Sequence, residues 1–152
     1  MVPLSSFASV EVGTGYTSAY SGRKVTTLAL AYSTPNYALS TYMAGVKNDY
    51  YYQSSYGVNV FSMRKGGDLM GGLVQGGFGL GLLYSKSGFK DSDDSSESTN
   101  TDFLIGPAFR LNWSFFNNLY LNIDATYGIR NISSHIQMNF QDSVSTSIGF
   151  RL

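Results

Sequence analysis

Apolar and polar residues change places at every second position along most of this chain, the repeat of β-strands rather than helices. In FASVEVGTGY, residues 7–16, Ala8, Val10, Val12, Thr14 and Tyr16 share one face, and Ser9, Glu11, Gly13 and Gly15 the other. VTTLALAYS sets Leu28, Leu30 and Tyr32 against Thr27, Ala29 and Ala31. YALSTYMAGV carries apolar residues on both faces; we place Leu39, Thr41 and Met43 outward and Ser40 and Tyr42 inward. SYGVNVFSM opposes Tyr56, Val58 and Val60 to Gly57 and Asn59, and MGGLVQGGFGLGLLYS opposes Val74, Phe78, Leu80, Leu82 and Tyr84 to Gln75, Gly77, Gly79 and Gly81. The cleanest alternation is DFLIGPAFRLNWS, with Phe103, Ile105, Pro107, Phe109, Leu111 and Trp113 against Gly106, Ala108, Arg110 and Asn112. LYLNIDATYGIR and the closing SVSTSIGFRL continue the same pattern.

These runs predict eight strands of about nine to twelve residues, the length that crosses a bilayer at a tilt. The connections alternate between longer and shorter. TSAYSGRK, KNDYYYQS, the acidic KSGFKDSDDSSESTNT and NISSHIQMNFQD are the longer ones, while Pro35-Asn36, RKGGD and Asn117-Asn118 mark the tight turns. Long loops and short turns therefore gather at opposite ends, and no linker divides the chain, so residues 1–152 read as one domain. A free, strongly alternating last strand would be an exposed edge. Pairing SVSTSIGFRL with FASVEVGTGY removes that edge and closes the ring.

Composition separates two kinds of barrel. Charged residues are only 13% and aromatic residues 15%, yet the longest apolar runs are a few residues, as in LGLLY. A membrane-spanning helix needs roughly 20 consecutive apolar residues, so low charge here belongs to strands that alternate between lipid and lumen. The apolar face is broad, continuous and aromatic-tipped; the other face holds Glu11, Asn59, Gln75, Arg110, Asn112, Asn122, Asp124, Arg130 and Arg151. Eight strands enclose space for modest side chains only. An interior filled by Phe103, Phe109 and Trp113 would not fit, whereas apolar-out and polar-in does. The fold class expected is an all-β, eight-stranded antiparallel up-and-down transmembrane barrel.

That orientation assigns roles. Inward glycines make room for Tyr42, Tyr120 and the arginines, since a narrow barrel cannot hold bulk at every position. Tyr16, Tyr32, Tyr84, Trp113 and Tyr127 fall near strand ends, where amphipathic rings sit between lipid and water. Lumen charges require partners because an isolated buried charge is costly. A turn about Asn117 puts Arg110 opposite Asp124 and Asn112 opposite Asn122. Glu11 also needs a cation, for which Arg151 is the neighbour on the closing strand. A lumen tied in this way is a plug and not a large pore.

The strand count, loop asymmetry, charged lumen and terminal VSTSIGFRL together resemble the small eight-stranded outer-membrane barrels of the OmpA-transmembrane and OmpX type, over the whole length. The resemblance implies residence in the bacterial outer membrane as a monomer, with outer-membrane lipid and lipopolysaccharide around it. It also implies delivery by the outer-membrane assembly machinery, which would read Ile148, Phe150 and Leu152. The usual final aromatic residue is Leu152 here, with Phe150 two places before it. The start MVPLSSF lacks the basic and apolar regions of a signal peptide, so numbering from Met1 is expected to begin at the mature chain.

Candidate chemistry is sparse. There is no cysteine, and ten basic residues balance ten acidic ones, so neither thiol chemistry nor a nucleic-acid partner is indicated. Some small outer-membrane barrels modify lipid A, which needs a nucleophile, a base and an orienting carboxylate in reach. The sole histidine, His135, has Ser133, Ser134 and Asp142 nearby, but Gln137 stands where the deacylase pattern has serine. A solvated loop histidine is the simpler reading. Asp91, Asp93, Asp94 and Glu97 lack the spacing of a calcium loop, and GGFGLG lies within a strand with no helix after it. No cofactor or metal is expected. The expected function is a non-enzymatic envelope protein with exposed loops for integrity, adhesion or surface contact; a lipid A-modifying enzyme and a small-solute channel are the alternatives.

Overall fold

In a computed structural model, the chain is described over residues 8–19, 24–47, 51–89, 98–115, 118–132 and 140–152. Eight strands run in chain order around a closed ring: β1 (Ser9–Ala19), β2 (Lys24–Ser33), β3 (Tyr37–Lys47), β4 (Tyr51–Leu69), β5 (Gly72–Phe89), β6 (Ser98–Phe115), β7 (Leu119–Ile132) and β8 (Phe140–Arg151). Every neighbouring pair is antiparallel, including β8 on β1, where Phe150 stands opposite Val12 and Ile148 opposite Thr14. The Leu152 amide donates to the Val10 carbonyl at 2.8 Å, extending that seam to the last residue. Closure leaves no edge for another chain to extend.

Burial follows the alternation. Leu28, Leu30, Tyr32, Val58, Val60, Phe78, Leu80, Phe109 and Ile148 are exposed on the outer wall, while Glu11, Ser40, Asn59, Arg110, Asn112, Asn122 and Asp124 are buried inside. The usual polarity of a water-soluble barrel is inverted, as a lipid-facing wall requires. Phe78 and Phe109 face each other across β5 and β6, their rings 5.1 Å apart in an edge-on arrangement on that outer surface. In the ambiguous third strand, Leu39 and Met43 are exposed and Ser40 and Tyr42 buried.

Several boundaries differ from the sequence reading. RKGGD is not a turn. Strand β4 continues through it, with a bulge between Lys65 and Asp68, and the chain reverses at Met70-Gly71. Both turn residues have positive φ, 49° and 77°, the condition of the tight hairpin turn whose twist matches its strands. The paired glycines at 66 and 67 serve the bulge, where an extra residue on one strand needs conformational latitude. The acidic connection is also shorter than expected, because β5 extends to Phe89 and β6 begins at Ser98, with Lys86 opposite Thr101 and Gly88 opposite Thr99. Likewise Tyr51 and Tyr52 belong to β4. Outside the bilayer both faces of a hairpin meet water, so pairing there leaves no apolar alternation to read. Strands β4, β5 and β6 reach 18–19 residues, well beyond the expected length.

The lumen is partly apolar. Tyr42, Leu83 and Leu104 form one buried cluster, and Ala38, Phe61, Met63 and Ala108 another. Glycine makes this packing possible at specific points. A Cβ on Gly57 would lie 2.1 Å from the Tyr42 ring, and one on Gly13 would lie 2.6 Å from the Tyr120 hydroxyl. At Gly15 and Gly79 the obstacle is the adjoining strand's backbone, 1.7 Å from the added carbon in each case. Those two glycines admit close strands; they do not make room for an aromatic ring.

Candidate functional site

The polar centre of the lumen is built from five strands. Glu11 comes from β1, Ser40 from β3, Asn59 from β4, Arg110 and Asn112 from β6, and Asn122, Asp124 and Thr126 from β7. Each is an inward position of a period-two strand, so its direction is set by the outward apolar neighbours on either side. Arg110 and Asp124 are cross-strand partners in the β6–β7 ladder, as are Asn112 and Asn122.

Arg110 is the hub. One terminal nitrogen, Nη2, donates to Glu11 Oε2 at 2.6 Å, and the other, Nη1, to Asp124 Oδ2 at 3.3 Å. A guanidinium presents several donors in a fixed plane, which lets one side chain hold two carboxylates in different directions. Its carbon lies 5.7 Å from the centre of the Phe61 ring, a cation–π contact on a buried face. Asn112 Nδ2 donates to Glu11 Oε1 at 3.3 Å and also to Asn122 Oδ1, while Asn122 Nδ2 donates to Glu11 Oε2 at 3.1 Å. Asp124 Oδ2 accepts from Ser40 Oγ at 3.0 Å, across the barrel from β3. Thr126 Oγ1 donates to Asn59 Oδ1 at 3.1 Å, tying β7 to β4.

Glu11 is wholly buried and Arg110 is 3% exposed, so these charges meet side chains in place of bulk water. The links run between walls that do not adjoin: β1 to β6, β3 to β7 and β4 to β7. Such an arrangement ties opposite sides of the cylinder together. Its chemistry is that of a structural ion network.

The sequence had offered Arg151 as the neighbour for Glu11. Its backbone stands opposite Glu11 in β8, and among the described side chains Arg110, three strands away around the ring, is a cation in contact with Glu11. Gln75 is buried opposite Asn112. Arg130 stands opposite Leu104 in β7, and its side chain, like that of Arg151, lies outside the described residues. Ser40 and Asn59 face inward by pattern, yet their partners on β7 lie 84 and 67 residues away and leave no local signal. Phe61 was missed because it interrupts the polar face with an aromatic residue.

Among the predicted interfacial aromatics, Tyr16, Tyr84 and Tyr127 occupy the loop-side halves of β1, β5 and β7. Tyr32 and Trp113 occupy the opposite-end halves of β2 and β6. Tyr16, Tyr32 and Tyr127 are exposed, and Tyr84 and Trp113 are half-buried. Trp113 Nε1 donates to the Leu69 carbonyl at 3.1 Å, so the ring leans on the β4–β5 hairpin end. Ile148, Phe150 and Leu152 all point outward from β8. His135, Ser133, Ser134, Asp91, Asp93, Asp94 and Glu97 lie outside the described residues.

Among solved structures, the chain is similar to a major outer membrane protein of Thermus thermophilus, with a TM-score of 0.57 at 13% identity, covering 95% of this chain and 99% of that one. The same fold has the small outer-membrane barrel architecture. It is shared with the N-terminal β-barrel domain of Pseudomonas aeruginosa OprF, with a TM-score of 0.54 at 9% identity over 95% of this chain and 97% of that one. Yersinia pestis Ail, the attachment invasion locus protein, was solved in complex with the heparin analogue sucrose octasulfate. It matches with a TM-score of 0.57 at 14% identity over 95% of this chain and 97% of its own. No protein-family model matches the sequence, and no curated protein matches it. At these identities the likeness is one of fold.

Proposed function

We propose that this chain is an integral protein of the bacterial outer membrane, a closed monomeric anchor that presents the loop-side ends of its strands outside the cell, in envelope integrity or adhesion. The observation that carries this reading is the bridge from Arg110 to Glu11 and Asp124 inside a wall whose exterior is apolar. An apolar exterior belongs in hydrocarbon, and a lumen crossed by buried ion pairs is poorly suited to solute flow. The extension of β4, β5 and β6 supplies a rigid paired surface above the bilayer, and the fold shared with the attachment protein Ail supports a surface role. No catalytic function is included in this reading.

Planar-bilayer recording tests the closed lumen. The reconstituted chain should add no stable conductance steps above the bare membrane; steady open levels would instead support a small-solute channel. Incubating it with lipid A and weighing the product by mass spectrometry tests the enzymatic alternative, and an unchanged lipid mass is the expected result.

The same reading makes β8 the segment that the assembly machinery recognises, through Ile148, Phe150 and Leu152. Deleting Phe150 to Leu152 removes the pairings of Phe150 with both Val12 and Leu119 and the final Leu152–Val10 hydrogen bond. The expected outcome in cells is loss of the heat-modifiable folded band from the outer-membrane fraction. Unaltered assembly would remove the terminal strand from that role.

A further inference from the structure

On the outer wall, Tyr56 of β4, Tyr84 of β5 and Phe103 of β6 lie in one cross-strand row. Just beyond it on the loop side, the outward positions turn from aromatic to polar and basic. Two residues further along, Ser54 pairs with Lys86; two more, Lys47 pairs with Tyr52. At the rise of a tilted strand, this places both lysines roughly 5–10 Å above the aromatic row. Lys47 and Lys86 are exposed, and neither is seen in an ion pair among the described residues.

The surface between them is concave. Tyr52 lies down across Gly88, where an added Cβ would be 2.6 Å from its hydroxyl, and that hydroxyl meets Thr99 Oγ1 at 3.1 Å. The ring is thereby turned toward β6. On the other side Gly45 has no side chain, and a Cβ there would meet only the Gln53 carbonyl, at 3.7 Å. A groove of about 580 Å³ results, with Gly45, Lys47, Tyr52, Ser54 and Lys86 among its lining.

We infer that this groove binds a phosphate of the glycolipid in the outer leaflet. The inference rests on the outer-membrane reading above and adds a site to it. Three observations converge on a lipid. Both lysines are on outward positions, on the wall that continues downward into the hydrocarbon-facing surface. They stand just above an aromatic row, the level at which lipid headgroups begin. Lysine ammonium groups bind phosphate as point charges, and Ser54 adds a hydroxyl donor between them.

The test uses the full chain in vesicles of phosphatidylcholine containing either bisphosphorylated lipid A or the same lipid dephosphorylated, followed by gentle extraction and native mass spectrometry. The wild-type chain should retain the phosphorylated lipid on the order of tenfold better than the dephosphorylated one. K47Q/K86Q should abolish that preference, and R64Q/K65Q, at the opposite end of β4, should keep it. An undiminished preference in a K47Q/K86Q protein that still shows its folded band overturns the site. Displacement of the lipid by excess inorganic phosphate overturns the lipid assignment in favour of a general phosphate site. A chain that never enters the vesicles overturns the outer-membrane reading itself.

Discussion

Arg110→Met should lower the unfolding free energy of the folded barrel by about 3–5 kcal/mol, because it strands two buried carboxylates at once. In the native lumen Glu11 and Asp124 are held by the two arms of one guanidinium, at 2.6 Å and 3.3 Å. Methionine keeps much of the volume and removes the charge. Glu11 retains donors from Asn112 and Asn122, and Asp124 retains Ser40, but neutral amides and a hydroxyl do not replace a cation. Arg110→Lys should recover only part of the loss, since an ammonium is a single point and cannot reach both carboxylates with the same fork. The triple variant E11Q/R110M/D124N should return to within about 2 kcal/mol of wild type, as buried ion clusters replaced together are often neutral. Urea unfolding in lipid, followed through the fluorescence of the single tryptophan, Trp113, measures all three. A wild-type-like midpoint for R110M would mean that the network is not what holds these walls together.

Leu80→Arg should cost about 2–4 kcal/mol in a bilayer, the depth-dependent penalty for a cation at mid-membrane. Leu80 is 67% exposed on the outer wall, and it faces Val60 on one side and Pro107 on the other. Along β5 it lies between Val74, level with Trp113, and Tyr84 in the loop-side aromatic row. On a water-facing surface the same change would shift stability by no more than about 0.5 kcal/mol. The unfolding free energy of L80R therefore reads the solvent of this wall directly. A negligible effect for L80R would place water, not lipid, against it.

The main architecture was legible in residues 7–16, 103–113 and 119–130 because strand periodicity is local: an outward Leu or Phe dictates that its neighbours point inward. Closure followed from the same logic, since a terminal strand as regular as Ser143–Leu152 demands a partner on both sides. Arg110 opposite Asp124 was equally readable, because a short turn sets the register of both its strands. The RKGGD reading failed for a related reason. Glycine pairs suit a bulge as well as a turn, and the choice depends on twist accumulated by the two flanking strands. The extra pairing in β4, β5 and β6 left little signal because stretches such as QSS, SKSG and STNT are polar on both faces.

Alternation along one strand carries the distinction between lipid face and lumen face, but it says nothing about which inward residues meet across the ring. Inside a closed eight-stranded cylinder, contact is governed by strand stagger and by the space that Gly13 and Gly57 leave to Tyr120 and Tyr42. Stagger makes Arg110 reach Glu11 from three strands away, and lets Ser40 touch Asp124 from the opposite wall. The chain's membrane-facing barrel was thus written in its periodicity. Which inward charges meet came from folding that pattern into a ring, because burial makes pairing obligatory while geometry selects the partner.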